Sequence, residues 1–270
     1  MVIFLGVDLA WGESSVEKPA NRSGVVALDQ RGAILDAGWT SGVKETATWI
    51  NSWDSGEAIA FIDAPLLVNN KSGQRQCERE VGQMFGSRLV SANSTNEGSS
   101  KRAGVRLCEQ LESAGWSYDS GLGGLSQSRL RFSECYPYTT LVGAKELDFD
   151  PRPAYKRKPR SFKSMAEFWP FRIKEWLRIV QALEGLSEAT PPLQLASNDL
   201  TDHLRNAPKL GEAAEYKKQE DLLDAVICAW TAAYWHAHGT SKCTVLGAGD
   251  QHSQSPGRAA TIIAPTSALS

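Results

Sequence analysis

The chain has 270 residues, and its 29 basic and 31 acidic side chains nearly cancel to a formal net charge of -2. With 41% hydrophobic residues it can fill one large core or two small ones, which excludes intrinsic disorder and collagen-like or coiled-coil rods. The near-neutral balance argues against a surface that coats nucleic acid throughout, so any such contact must rest on a local patch.

No stretch reaches the ~20 uninterrupted apolar residues of a membrane span, and the opening MVIFLGVDL lacks the basic start of a secretory leader and is broken by Asp8. A soluble, cytoplasmic protein is expected. The five cysteines, Cys77, Cys108, Cys135, Cys228 and Cys243, are odd in number, widely spaced and never CxxC. They predict reduced, mostly buried thiols rather than a disulfide framework or a zinc site.

Residues 2–7 form a near-continuous apolar run rich in β-branched and aromatic side chains, the pattern of a strand buried on both faces, and the run stops at Asp8. A polar loop (GESSVEKPANR, 12–22) leads to SGVVALD (23–29), the turn signal DQRG (29–32) and AILDAGW (33–39), two strands joined by a tight hairpin. Together these make a three-stranded meander. Residues 45–53 carry Ala47, Trp49, Ile50 and Trp53 at helical spacing, with Glu45 near the start to suit the dipole. AIAFI (58–62) repeats the first strand and closes at Asp63 and Pro65. A strand, helix, strand order places it beside the first strand and parallel to it.

Further along, 74–85 and 105–114 predict helices, and 165–186 and 215–238 predict two longer amphipathic ones. The segment 91–104 (SANSTNEGSSKRAG) is small and polar and reads as a mobile loop. Residues 129–136 alternate well enough for a fifth strand, stopped by Pro137, and 244–246 with 261–264 suit a late strand pair. There is no internal repeat and no linker, so the expectation is a single α/β domain over 1–270: a mixed five-stranded sheet, meander first and parallel strands after, with flanking helices and insertions.

Two apolar strands thus end in an aspartate, and ligands of open α/β sheets bind at the carboxyl ends of neighbouring strands. Either acid alone could cap a following turn. Asp8 and Asp63 on adjacent parallel strands favour a shared site. In QEDLLDAVICAWTAAYW, Asp221 and Asp224 project from the same side of a helix, together with Cys228. Glu220 and Asp221 could be first-turn acids. Asp224 lies deeper in apolar sequence, where an unpaired carboxylate costs several kcal/mol, so it must be protonated, paired with a base or bound to a cation. Glu134 in RFSECYP shares a strand face with Leu130, Phe132 and Tyr136. It calls either for an arginine partner (Arg75, Arg79 or Arg131) or for a place in the same cluster.

Converging carboxylates repel unless something positive neutralises them. The four histidines offer no zinc-like spacing, so a carboxylate site points to a hard cation, Mg²⁺ or Mn²⁺, and two such ions suffice to hydrolyse a phosphodiester. The basic run 152–163 (RPAYKRKPRSFK) holds six basic residues, with Tyr155 and Phe162 interleaved. It is either a solvated proline-stiffened loop or a surface for backbone phosphates, with Lys156, Arg157, Lys158 and Arg160 as contacts and nucleic acid as partner. Lys101, Arg102 and Arg106 could extend that surface.

The order of elements and acids resembles the ribonuclease H-like superfold, and the Asp221/Asp224 pair is similar to the Holliday-junction resolvase branch. More narrowly, GVDLAW (6–11), FIDAPL (61–66), RQCERE (75–80), ECYP (134–137) and DLLDAVICAWTA (221–232), closing with TIIAP (261–265), resemble in order the signature segments of an uncharacterised family labelled predicted RNase H-like nucleases, a domain-of-unknown-function family. The resemblance implies a metal-dependent nuclease. Asp8, Asp63, Glu134 and Asp224 would be catalytic metal ligands and Asp221 a supporting or alternative ligand. Arg75 would contact phosphate or pair with Glu134, and Arg79 would be a second phosphate contact. The opening loop is longer and more polar than the family's turn. Two other readings stand beside this one: a non-catalytic scaffold of the same fold that binds nucleic acid or protein, and an ATP-dependent phosphotransferase of the actin and sugar-kinase type. Against the latter, Asp8 is followed by Leu9, Ala10 and Trp11 rather than a glycine- and threonine-rich hairpin, and neither GxGxxG nor GxxxxGK[ST] occurs.

Overall fold

A computed structural model describes residues 1–12, 21–100, 102–209, 211–250 and 258–266. Much of the predicted opening loop, and Lys101, lie outside the described residues.

The apolar runs become the centre of a mixed sheet. Strands β1 (Val2–Asp8), β2 (Arg22–Asp29) and β3 (Ile34–Ser41) form the expected antiparallel meander. Helix α1 (Gly42–Asn51) then returns the chain to β4 (Glu57–Ile62), parallel to β1. Beyond β4 lie β6 (Leu130–Glu134) and, at the edge, a two-residue strand β5 (Ser117–Tyr118), giving the order β3-β2-β1-β4-β6-β5. Among the described residues the sheet therefore has six strands, not five, because β5 is too short to leave an alternating pattern in the sequence. The late pair β7 (Cys243–Leu246) and β8 (Ile262–Pro265) forms a separate antiparallel ribbon.

Helices cover both faces. Ile3, Leu5, Val7, Ala60, Ile62 and Phe132 pack towards α1 and α3 (Ala103–Ser113). Phe4, Ile59 and Phe61 pack towards α7 (Ala213–His238), over which α5 (Met165–Glu184) and the short α4 (Pro137–Gly143) lie. Pro137, read from sequence as a strand stop, also opens α4 at its first turn, where its missing N–H is no loss.

Helix α7 is not amphipathic as its pattern suggested. Every residue from 220 to 235 is buried, since the helix lies between the sheet on one side and α4, α5 and the ribbon on the other. Two glycines let it approach: a Cβ at Gly6 would stand 2.0 Å from the Ala225 carbonyl oxygen, and one at Gly24 2.1 Å from that of Asp221. The segment 91–104 also departs from expectation. Its centre, Thr95, is buried, its N–H donates to Glu78 Oε2 at 3.0 Å and its carbonyl accepts from Asn70 at 3.0 Å.

All five cysteines are buried and free. No helix among the described residues is long and apolar enough to cross a membrane.

Candidate active site

Val7 pairs with Ile62 across β1 and β4, and the Asp63 N–H continues the ladder to the Val7 carbonyl at 2.8 Å, so Asp8 and Asp63 end neighbouring strands in register. Alternation turns both towards α7, in line with Phe4 and Gly6 on one strand and Ile59 and Phe61 on the other. The glycine contacts seat α7 directly on these strand ends, bringing Asp224 and, one turn earlier, Asp221 to them. Both Asp221 and Asp224 act on the charge of Asp8.

The four aspartates share one electrostatic environment. Burial lifts Asp8 well above the usual carboxylate range, and Asp224, Asp63 and Asp221 add to the rise. Burial raises Asp63 to about 7, with Lys156 drawing it down and Asp224 and Glu134 pushing it up. Asp221 is raised by burial against the pull of Lys217.

Positive charge enters from two elements. Lys217, one turn before Asp221 on α7, places its Nζ 2.5 Å from Asp221 Oδ1 and 2.8 Å from Glu220 Oε1. Lys156 comes from the basic run 152–163, and its Nζ lies 2.5 Å from Oδ2 of the fully buried Asp224, whose Oδ1 accepts the Tyr155 hydroxyl at 2.5 Å. Burial opposes the charge on Lys156, but Asp224, Tyr155, Asp63 and Asp8 together hold its pKa well above the ordinary lysine value.

The backbone that carries Lys156 is clamped. Arg172 of α5 donates from Nε to the Tyr155 carbonyl at 2.6 Å and from Nη2 to the Lys156 carbonyl at 2.8 Å, and the Tyr216 hydroxyl also donates to the Tyr155 carbonyl at 2.7 Å. Arg172 is itself held by Glu220 at 3.0 Å and lies 3.6 Å over the Tyr216 ring. The sequence reading missed Arg172 and Lys217 as parts of the site, and placed Tyr155 on a phosphate and base surface rather than inward against Asp224. Only the i, i+4 spacing of Lys217 and Asp221 was visible beforehand.

Glu134 takes its arginine-paired alternative. It sits opposite Ile62 on β6, its alternation aims it at the α1–α3 face with Leu130 and Phe132, and Arg75 grips it through Nη1 at 2.8 Å and Nη2 at 2.6 Å. Its Oε2 also accepts the Leu66 N–H at 3.0 Å. Arg75, 3% exposed, further bonds Glu78 and the Leu67 carbonyl. Of its two expected roles, its contacts fill that of partner to Glu134, and it is not on the wall of the cleft that Asp8 and Asp63 line. Glu78 completes the knot by accepting the N–H groups of Arg75 and Thr95.

The remaining basic candidates divide. Arg157 is exposed and lines the cleft, whereas Lys158 donates to the Phe162 carbonyl. Arg160 is exposed but outside the cleft wall, and Arg79 bonds Gln74 and Gln76 on the outer side of α2 (Gln76–Phe85). Arg102 and Arg106 belong to the start of α3, on the other side of the sheet.

The aspartates open into a cleft of about 470 Å³ walled by Asp8, Trp11, Asp63, Arg152, Lys156 and Arg157 among others. An adjoining hollow of about 820 Å³ shares Asp8, Trp11, Asn93, Arg157 and Lys217 with it. Among the described residues no set of three or more His, Cys, Asp and Glu side chains is arranged to hold a metal ion as it stands. In kind the donors suit a hard cation: the acidic residues of the cleft wall, Asp8 and Asp63 among them, are carboxylates without histidine, and Asp8 and Asp63 have no ion-pair partner among the described residues. Mg²⁺ needs only one or two protein carboxylates when water and phosphate complete its shell.

No curated protein and no solved structure matches this chain. One family model covers residues 6–248, from the glycine under α7 to the end of the β7 ribbon strand. The chain therefore belongs to the family described as protein of unknown function (DUF429).

Proposed function

We propose that this chain is a metal-dependent hydrolase of phosphodiester bonds in nucleic acid, built on a ribonuclease H-like sheet in which β3-β2-β1 is the meander, β4 and β6 the parallel continuation and β5 an edge addition. One observation carries the reading. Asp8, Asp63, Asp221 and Asp224, drawn from three elements distant in the chain, converge under an open cleft whose walls carry Arg152, Arg157 and Lys217. Asp8 and Asp63 would hold Mg²⁺ or Mn²⁺, with Asp221 and Asp224 behind them. Such an ion, when bound, polarises a phosphate oxygen and makes water a nucleophile near neutral pH.

The protein's own groups do the rest. Arg157 borders both hollows and can bind a phosphate of a chain passing Asp8, so the groove suits a polymer better than a closed pocket would. Arg75 and Glu134 stiffen the turn after β4 that carries Asp63, through Leu66 and Leu67.

The test is cleavage of single- and double-stranded DNA and RNA with Mn²⁺, abolished by Asp63→Asn with the fold retained. Cleavage that survives that substitution, or excess chelator, refutes the assignment. The pairing of Asp224 with Lys156 and of Asp221 with Lys217 favours a second reading, a binding scaffold whose acids are internally neutralised. The two part on melting temperature. A cation at a hundredfold excess over its Kd adds about 2.7 kcal/mol of stability, so Mn²⁺ should raise the transition of the wild type but not of Asp8→Asn, and no shift in either supports the scaffold.

A further inference from the structure

We infer that this site takes one divalent ion rather than two, because the Lys156 ammonium occupies the place of the second. The inference rests on the proposed metal-dependent reading. Four aspartates meet at the strand ends, and two of them already have partners within 2.5 Å: Asp221 with Lys217 and Asp224 with Lys156. Asp8 and Asp63 remain without an ion-pair partner among the described residues. A bound ion displaces the protons that Asp8 and Asp63 hold, so four carboxylates then face two ammonium groups and a single divalent ion brings the cluster to neutrality. A second would leave two excess positive charges beside the Lys156 ammonium, which repels them.

Lys156 is built into this position. Asp224 is fully buried, Tyr155 holds its Oδ1, and Nζ of Lys156 holds its Oδ2. The carbonyls of residues 155 and 156 are fixed by Arg172, which is anchored to Glu220 on the same helix as Asp224. The ammonium lies 5.1 Å from the centre of the Tyr138 ring and 5.5 Å from that of Tyr155, so two aromatic faces guide the stem inward. An ion bound to Asp224 would have to displace the ammonium from Oδ2 or the tyrosine hydroxyl from Oδ1. Lys156 therefore supplies a fixed positive charge beside the phosphate in the cleft, a task that a two-ion site gives to metal.

The experiment is a count of Mn²⁺ by equilibrium dialysis, with the electron paramagnetic resonance spectrum of the loaded protein as a second readout. The wild type should bind one ion per chain with the spectrum of an isolated ion. Lys156→Met should bind two with the features of an exchange-coupled pair, and Lys156→Arg, which keeps the charge, should bind one. Two ions in the wild type would overturn the inference while leaving the metal-dependent reading intact. One ion in a folded Lys156→Met would overturn it as well. No ion in the wild type would overturn the metal-dependent reading itself. If Lys156→Met fails to fold, the counts for the wild type and Lys156→Arg still decide, because two ions in either contradict the charge argument.

Discussion

Replacing Glu134 by glutamine separates a structural acid from a catalytic one. In the native protein its two oxygens accept from Arg75 at 2.8 and 2.6 Å and from the Leu66 N–H at 3.0 Å, all buried. Glutamine keeps the shape but replaces one acceptor by an NH₂ group facing an arginine N–H, and removes the charge opposite a guanidinium that is 3% exposed. Breaking a buried pair of this kind costs about 3–5 kcal/mol. With an unfolding entropy of ~2.1 cal/mol/K per residue, a chain of 270 residues loses about 5–9 °C of melting temperature for that cost. Scanning calorimetry in chelator measures the shift, and hydrolysis per folded molecule, assayed well below the transition, measures function. The expected result is a lower transition and near-native specific activity with Mn²⁺. An unchanged transition with activity abolished would show that Glu134 acts as a ligand and that the ion pair contributes little, which would refute the argument.

Asp63 should behave in the opposite way. Its pKa is raised in the folded state from 3.8 to about 7, so the stability tied to its proton is fully present below 3.8 and is lost as pH rises through about 7. Asp63→Asn removes that loss, so in chelator the variant should melt higher than the wild type above pH 7, and equal or lower melting there contradicts the assignment. Metal must displace the same proton, so Mn²⁺ should stabilise the wild type strongly above pH 7 and weakly below pH 5, as melting curves at the two pH values will test. Gly6→Ala puts a Cβ 2.0 Å from the Ala225 carbonyl oxygen and forces α7 off the sheet. It should cost at least about 3 kcal/mol by denaturant unfolding, and a cost under about 1 kcal/mol would mean that the helix seat is looser than described. The five buried thiols should react with a thiol reagent only on unfolding, so rapid modification of any one in the native protein contradicts its burial.

The sheet centre was legible because burial on both faces writes itself into composition. Residues 2–7 and 58–62 read as apolar runs, each running into an aspartate, and the strand, helix, strand order made them parallel neighbours. Convergence of Asp8 and Asp63 followed from topology alone. Glu134 shows where that reasoning stopped. Its period-two company, Leu130 and Phe132, was read correctly, but the face they belong to depends on register, and the pairing of Ile62 with Glu134 sets it one residue out of step with the row of Asp63. A one-residue offset moves a strand-end side chain to the other side of the sheet, and no local pattern records it. The depth of α7 was hidden likewise: Gly6 and Gly24 read as ordinary strand glycines until a helix backbone is seen lying against them.

The basic run 152–163 was hardest to read, because composition gives charge but not direction. Six cations among prolines suit a solvated loop or a phosphate-binding surface, and neither description suggests that one of them turns inward. What turns Lys156 is long-range: Arg172, 16 residues on, binds its carbonyl, and Tyr155, its neighbour, reaches Asp224 across 69 residues of sequence. The same segment then serves two purposes according to side. Lys156 neutralises a buried carboxylate, while Arg157, the next residue, is exposed and borders both hollows. Arg172 fixes the carbonyls of residues 155 and 156, and so holds the backbone from which both the inner and the outer cation spring. Substituting Arg172 should therefore disturb cation binding and polymer binding at once, although its own guanidinium is largely buried among Glu220, Tyr216 and the carbonyls of residues 155 and 156.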